Sequence, residues 1–426
     1  MPDFKGFATM NTIAFIFIVL LLARLAMQLI LDLLNLKSVK AAAGSVPAAF
    51  AGRIEPSTYE KSVDYTKARL RLSLVETVYD ALILAVLLLT GLLAWIWYVF
   101  SGVFGTGLWG QAATLFATGI VIGLPSMPLD WYSQFRLEER FGFNRSTLAL
   151  WLTDKLKGLV IGLIIGLPLV AFLLWLVGLS EFWWLWAFVA VFLFQLVMVV
   201  VYPTLIMPLF NKFTELEEGD LKTRLFDLSN RTGFRARTIL VMDGSKRSGH
   251  SNAFFTGFGR FRRIVLFDTL MEQLQPRQLE AVLAHEIGHY KLGHIPRMIA
   301  MSAFTLLLSF ALIGYLAGQP AFVEAFGFEW QAGQLAPVLL LFMLMGGLLT
   351  FWLSPLSNLL SRKHEFEADH FAREALDGDP EPLVEALHTL SEKNLSNLTP
   401  HPLYSGFYYS HPTLVEREAA LRSKES

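Results

Sequence analysis

The chain contains no cysteine and few charged residues. Of 426 residues only 17% are Asp, Glu, Lys or Arg, 54% are hydrophobic, and the formal net charge is −1. Without cysteine there are no disulfides, thiolate metal ligands or cysteine nucleophiles, so any metal must be bound by His, Asp or Glu. The balanced charge provides no positive field for nucleic acid, and we expect no nucleic-acid partner. So apolar a composition is unusual for a soluble protein of this length.

Long apolar runs account for the composition. Seven of them reach or approach the roughly 20 residues that a helix needs to cross a bilayer. They lie at residues 12–34, 81–100, 112–129, 159–179, 182–209, 298–316 and 335–356. The first run is too long for the apolar core of a signal peptide, and no small-residue cleavage site follows it at once, so we interpret it as a spanning helix. The third is the least regular, because Gly119, Gly123 and Pro125 interrupt it.

Lys and Arg are distributed unequally among the loops between these runs. The loops after the first and third runs are rich in both, whereas the loops after the second, fourth and sixth contain neither. Loops rich in Lys and Arg stay on the cytoplasmic side of a membrane. The alternation therefore predicts an N-terminus outside and a C-terminus in the cytoplasm.

Residues 285–289 read His-Glu-Ile-Gly-His. Positions i and i+4 share one face of a helix, so His285 and His289 can bind one metal ion between them. Glu286 lies beside them and can polarise a water bound to that metal. The preceding residues predict the helix through an apolar stripe formed by Leu279, Val282, Leu283 and Ile287.

Two histidines leave such a site incomplete, because a catalytic zinc has three protein ligands and one open position. His294 follows in a register that differs from His-Glu-x-x-His-x-x-Gly-x-x-His, so we assign it no ligand role. Glu365 and Asp369 are four residues apart on a predicted helix, where one can bind the metal while the other orients a ligand histidine. His364 and His370 are alternatives, but they flank that face and we assign them no role.

A polar segment separates the fifth run from the sixth. It predicts an amphipathic helix over residues 220–232, then strands at residues 238–242, 253–257 and 263–267. The last two strands, with Gly257 and Gly259 between them, predict a hairpin just before the metal helix. An exposed edge strand there can pair with an extended peptide and lay it across the metal. A hairpin that serves only for packing is the alternative.

These elements predict four consecutive segments. Residues 1–210 carry five transmembrane helices with cytoplasmic loops, and residues 211–297 form the first half of a cytoplasmic zinc protease domain. Residues 298–356 carry the sixth and seventh transmembrane helices, and residues 357–426 form the second half of the domain. The competing class is a membrane protein without enzymatic activity, such as a transporter, for which polar residues inside the spans are the expected mark.

Several stretches together resemble a known family. They are residues 59–65, residues 138–144, HSNAFF at 250–255, HEIGH at 285–289, EFEAD at 365–369 and SHPTLVER at 410–417. In this order, and among seven spans, they resemble the type I CAAX prenyl endopeptidases, integral-membrane zinc metalloproteases distantly related to the HtpX proteases. The resemblance covers nearly the whole chain.

The resemblance implies a fold and a cofactor. Glu365 is expected as the third ligand beside His285 and His289, with Asp369 as the carboxylate that orients a ligand histidine, and one Zn²⁺ ion as the cofactor. The implied fold is mainly α. Seven transmembrane helices form a barrel around a chamber, and a small α+β zincin-type metalloprotease domain caps its cytoplasmic side.

The resemblance also implies an activity, that of an integral-membrane zinc endopeptidase with Glu286 as general base. Asn252 and the backbone around Ala253 are expected to bind the substrate chain. His411 and Arg417 are expected near the scissile carbonyl, where either can stabilise the oxyanion. The expected substrate is a CAAX-type prenylated peptide or another membrane-associated peptide or protein, and no oligomeric state is predicted. The lack of cysteine and of a retrieval signal favours a bacterial inner membrane over the endoplasmic reticulum.

Overall fold

The computed structural model describes residues 11–256 and 262–423. Within these residues, seven helical segments are long and apolar enough to cross a membrane, as the sequence predicts. They are Thr12–Ala42, Pro56–Leu89, Leu108–Phe141, Leu148–Leu176, Trp183–Leu209, His294–Ala317 and Ala336–Ala375.

Eight named helices precede the first strand in the described chain. These are α1 (Thr12–Ala42), α2 (Pro56–Leu89), α3 (Leu92–Phe104), α4 (Leu108–Gly123), α5 (Met127–Tyr132), α6 (Glu139–Phe141), α7 (Leu148–Leu176) and α8 (Trp183–Val201). Seven of them lie within the first five spans, while α3 lies between the second and third spans. Helices α4 to α6 join into one span through a 3₁₀ turn at Leu124–Ser126 and a π-helical stretch at Ser133–Glu138. Pro125 lies in the first of these irregular turns, as expected for a residue that cannot donate a backbone hydrogen bond.

The predicted second span, residues 81–100, is wrong in its bounds. Helix α2 ends at Leu89, and Gly91 has a φ of 76°, a left-handed conformation that glycine adopts without steric cost. The chain therefore turns in the middle of the apolar run before α3 begins. The spanning helix lies earlier, because α2 starts at Pro56 and includes the polar stretch 59–65.

Nine more helices follow in the described chain, and two of them are the sixth and seventh spans. These are α9 (Asp220–Arg231), α10 (Asp268–Gln273), α11 (Pro276–Lys291), α12 (His294–Ala317, the sixth span), α13 (Pro320–Glu324), α14 (Ala336–Ala375, the seventh span), α15 (Glu381–Lys393), α16 (Pro402–Tyr408) and α17 (Leu414–Arg422). Helix α9 confirms the predicted amphipathic helix, and Gly233 follows it with a φ of 68°.

A four-stranded sheet lies between α8 and α11. Its strands are β1 (Phe213–Glu215), β2 (Thr238–Met242), β3 (Ala253–Thr256) and β4 (Arg263–Phe267), in the order β1-β2-β4-β3. Strands β3 and β4 pair antiparallel, which confirms the predicted pairing, while the predicted turn at Gly257 and Gly259 lies outside the described residues. Strand β3 is an edge strand of this sheet.

Helix α14 is the element that joins the membrane region to the soluble region. The sequence predicts an apolar run that ends at residue 356, but the helix continues without a break to Ala375. Its last turns pack against α11, whose buried face includes Leu279, Leu283 and Ile287. One continuous helix therefore places the residues after the seventh span directly beside the His-Glu-x-x-His helix.

Candidate metal centre and active site

Helix α11 is fixed at its start and along one face. Gln275 and Gln278 cap it reciprocally, and Pro276 occupies the first turn, where its missing N–H has no cost. The buried stripe holds the helix against the soluble core. The predicted pair His285 and His289 consequently emerges on the face that meets α14.

Gly288 allows α11 and α14 to approach closely. A Cβ atom at this position would lie 3.1 Å from the Cα atom and 3.2 Å from the carbonyl oxygen of Ala368. Ala368 is itself fully buried, so neither helix has a large side chain at the crossing. Glu365 and Asp369 flank Ala368 on α14 and are thereby brought to the two histidines.

The donor atoms of three residues converge at this crossing. His285 Nε2 lies 3.1 Å from His289 Nε2 and 3.4 Å from Glu365 Oε2, and His289 Nε2 lies 3.3 Å from Glu365 Oε1. Donors bound to one tetrahedral zinc at the usual bond lengths are about 3.3 Å apart. Glu365 is 4% exposed and its Oε2 has no hydrogen-bond partner, an arrangement that a cation satisfies. The three residues therefore fit a metal ion.

Asp369 and Arg417 form a second layer behind His285. Asp369 Oδ1 lies 2.9 Å from His285 Nδ1, the ring nitrogen that faces away from the donor cluster. Arg417 Nε donates to Asp369 Oδ2 at 2.8 Å, and its Nη1 lies 3.6 Å from Glu365 Oε2. Both side chains of this pair are buried. Arg417 thus contacts the carboxylates of the site directly.

A hydrogen-bonded neighbour also orients His289, as Asp369 orients His285, and the sequence did not indicate it. Its Nδ1 lies 2.9 Å from Nδ1 of His294, whose Nε2 lies 2.9 Å from Glu367 Oε2. Gly293, with a φ of 72°, lies between α11 and α12, so that His294 at the start of α12 contacts His289. The comparison of His294 with a single-helix motif missed this contact, because the turn changes the register.

Glu286 lies beside the edge strand. It lines a small cavity with Ala253, Phe254 and Phe255 of β3, and burial raises the pKa of its carboxyl. A raised pKa brings a carboxylate base closer to the pKa of the group that it deprotonates. Asn252 precedes β3, and its Oδ1 accepts a hydrogen bond from the backbone N–H of Ala253 at 2.8 Å.

His411 also reaches the donor cluster. Its Nε2 lies 3.4 Å from Glu365 Oε1, and its Nδ1 lies 3.0 Å from Ser410 Oγ. Its side chain is 63% exposed to a cavity of about 660 Å³ that is also lined by Tyr408, Tyr409 and Pro412.

Two residues of α14 fix the turn that carries His411. Arg362 Nη1 donates to the carbonyl oxygen of Tyr409 at 2.8 Å and to that of Gly406 at 3.2 Å, and Asn358 Nδ2 donates to the carbonyl oxygen of Phe407 at 2.6 Å. The helix that holds Glu365 therefore also holds the end of α16. Nothing in the local sequence pattern indicates this long-range contact.

Seven apolar spans together with this convergent set of two histidines, a buried carboxylate and an adjacent glutamate define a membrane-embedded metalloprotease. One family model, described as the CAAX prenyl protease N-terminal region with five membrane helices, matches residues 35–212. A second, described as peptidase family M48, matches residues 215–425. The chain belongs to this family of membrane metallopeptidases, as the sequence resemblance predicts, and the transporter alternative is excluded.

Known relatives match over most of their length. CAAX prenyl protease 1 of Saccharomyces cerevisiae is 37% identical over 88% of each chain. A homologue from Arabidopsis thaliana is 35% identical over 93% of this chain and 94% of its own, and a human homologue is 32% identical over 89% of each. The crystal structure of S. mikatae Ste24p superposes with a TM-score of 0.90 at 33% identity, covering 96% of this chain and 99% of that chain. This match confirms the predicted barrel of spanning helices with its protease domain.

Proposed function

We propose that this protein is a zinc endopeptidase that cleaves prenylated CAAX-type peptides at the cytoplasmic face of its membrane. The convergence of His285, His289 and Glu365 supports one zinc ion, because two imidazoles, one carboxylate and an open fourth position are the ligand set of zincin-type catalytic sites. The prenylated substrate is suggested by the names of the relatives, which are CAAX prenyl proteases.

The proposed roles follow from the contacts. Bound by the three ligands, a zinc ion supplies Lewis acidity that acidifies water and polarises a carbonyl group. Glu286 takes the proton from the attacking water and passes it to the leaving amine. Strand β3 pairs with the extended substrate through its free edge, with Asn252 and Ala253 at its start, and so presents the scissile bond beside Glu286.

The two predicted oxyanion donors, His411 and Arg417, differ in whether other side chains already engage them. Arg417 is engaged by Asp369 and lies beside Glu365, so we assign it to orienting these carboxylates. His411 is exposed to the cavity and lies at the rim of the donor cluster. We therefore assign the hydrogen bond to the developing oxyanion to His411, while Asp369 holds His285 in the tautomer that binds metal.

The domain arrangement and orientation follow the same proposal. Residues 211–297 and 357–426 form one cytoplasmic protease unit, held together by the crossing of α11 and α14, and the N-terminus lies outside. The predicted preference for a bacterial inner membrane is supported only by the sequence, and the relatives described above are eukaryotic.

The test uses purified protein in detergent with a fluorogenic farnesylated peptide and an unprenylated control of the same sequence. Glu286→Gln is expected to retain zinc and fold but to lose hydrolysis, whereas the parent cleaves the farnesylated peptide faster and loses activity with chelator. Equal cleavage of both peptides would contradict the prenyl preference. Parental activity in Glu286→Gln would contradict the assigned base.

A further inference from the structure

A second group of potential metal ligands lies next to the first. His294, His364 and Glu367 each offer a donor atom, and these atoms lie within 4.8 Å of one another. Two imidazoles and a carboxylate bind zinc and related divalent ions. This group shares no residue with the set formed by His285, His289 and Glu365.

His364 has a buried nitrogen that the protein itself does not satisfy. The residue is 3% exposed, and its Nε2 has no hydrogen-bond partner among the described residues. Its ring stacks on that of His294, with centroids 4.1 Å apart and planes within 11° of parallel. A buried polar atom without a partner costs free energy, so the position favours a ligand that accepts its lone pair.

The hydrogen bonds of His294 connect this group to the catalytic metal ligands. If His289 binds metal through Nε2, its proton resides on Nδ1 and is donated to Nδ1 of His294 at 2.9 Å. His294 then carries its own proton on Nε2 and donates it to Glu367 Oε2, also at 2.9 Å. These two hydrogen bonds orient His289, in the same way that Asp369 orients His285.

A cation bound to Nε2 of His294 is incompatible with these two hydrogen bonds. Neutral His294 must then carry its proton on Nδ1, so that two N–H groups face each other across the contact between His289 and His294. The contact becomes repulsive, and His289 loses the acceptor that fixes its orientation. Binding at the two sites is therefore mutually unfavourable, since coupling between sites is reciprocal.

Local charge makes the second site the weaker one. Arg297 Nη1 and Lys363 Nζ lie 3.5 and 3.8 Å from the Glu367 carboxylate and compete with a cation for it. The donors must also rearrange, since a tetrahedral ion holds them at about 3.3 Å. His294 Nε2 and Glu367 Oε2 are 2.9 Å apart and must separate slightly, while wider separations in the group, of up to 4.8 Å, must close. The side chain of Glu367 is 32% exposed at the surface of the group, which leaves it room to adjust.

We propose that His294, His364 and Glu367 form a second, weaker site for a divalent cation of the zinc class, and that a cation bound there inhibits the protease. The inhibition rests on the proposed role of His289 as a metal ligand. The existence of the second site does not rest on that role, because the number of bound ions tests it without any measurement of activity.

The test is equilibrium dialysis of the full-length protein in detergent against increasing Zn²⁺, followed by elemental analysis. The parent is expected to bind one ion tightly and a second at higher concentration. His364→Phe keeps the stacked ring but removes the nitrogen, and is expected to bind one. His370→Phe, an exposed histidine further along the same helix, is the matched control and is expected to bind two.

Activity supplies the second readout. His364→Phe is expected to match the parent at one equivalent of zinc, and the zinc concentration that halves its activity is expected to rise at least tenfold. A parent that binds a single ion in excess zinc, or His364→Phe that still binds two, overturns the site. Binding of two ions by the parent without loss of activity would overturn the coupling between the sites.

Glu365→Ala separates this proposal from the proposed function, because it is expected to lose the tight ion and to keep the weak one.

Discussion

The buried pair of Asp369 and Arg417 has two separable roles, in stability and in metal binding. Arg417 donates to Asp369 while Asp369 also faces Nδ1 of His285, and both residues of the pair are at most 8% exposed. Arg417→Met keeps the length of the side chain but removes its charge. Removing one partner of a buried ion pair costs about 3 to 5 kcal/mol. Because Asp369 keeps its contact with His285, we expect a loss toward the lower end of that range.

The double variant Asp369→Leu with Arg417→Met removes both charges. Replacing a buried pair by apolar residues is often neutral or stabilising, so we expect the double variant to recover most of the stability that Arg417→Met loses. The zinc affinity of the double variant is nevertheless expected to stay below that of the parent. His285 then lacks the acceptor that orients it, and losing such a partner weakens metal binding by about 10- to 100-fold.

The assay compares metal-free proteins by their thermal unfolding midpoints at one scan rate, and measures zinc affinity by competition with a chromogenic chelator. Parental stability in Arg417→Met would refute the buried ion pair as a structural element. Parental zinc affinity in the double variant would refute the role of Asp369 in orienting His285.

Three further predictions test the geometry, the base and the topology. Gly288→Ala places a Cβ atom against the backbone of Ala368, so zinc should dissociate faster from this variant, as measured by chelator-induced release. Burial raises the pKa of Glu286, and a base must be deprotonated, so kcat/KM should fall as pH decreases through a midpoint above the ordinary value of 4.5; a midpoint at or below that value refutes the assignment. Because the chain lacks cysteine, single Glu181→Cys and Glu217→Cys variants report sidedness cleanly: an impermeant maleimide should label only the first in intact cells.

The apolar runs predicted the number of spans but not their bounds. A hydropathy pattern detects where side chains favour lipid, and it does not detect a turn inside an apolar stretch, such as that at Gly91. It also misses a helix that continues as a polar segment, because the hydrogen bonds of the helix persist where hydropathy ends. This is why the pattern ended the seventh span at residue 356, although α14 continues to Ala375.

The residues of the candidate site also divide into those that the local sequence pattern predicts and those that it does not. His285, Glu286 and His289 are close in sequence, so helical periodicity alone brings them together. Glu365 lies beyond two spans, and spacing alone left its role interchangeable with that of Asp369 until the family resemblance was used.

Other contacts were not predictable from local pattern. His294 reaches His289 across the left-handed turn at Gly293, and Arg362 holds the end of α16 through backbone carbonyl groups that carry no sequence signal. Both contacts depend on the packing of distant elements.

The zinc content of Glu365→Ala tests the central claim most directly. The purified parent, dialysed against zinc-free buffer, is expected to retain one zinc ion per chain by elemental analysis. Glu365→Ala is expected to lose that ion under the same conditions while remaining folded, because the donor set would then lack its buried carboxylate. Full retention of zinc by this variant would contradict the assignment of Glu365 and the metal site described here.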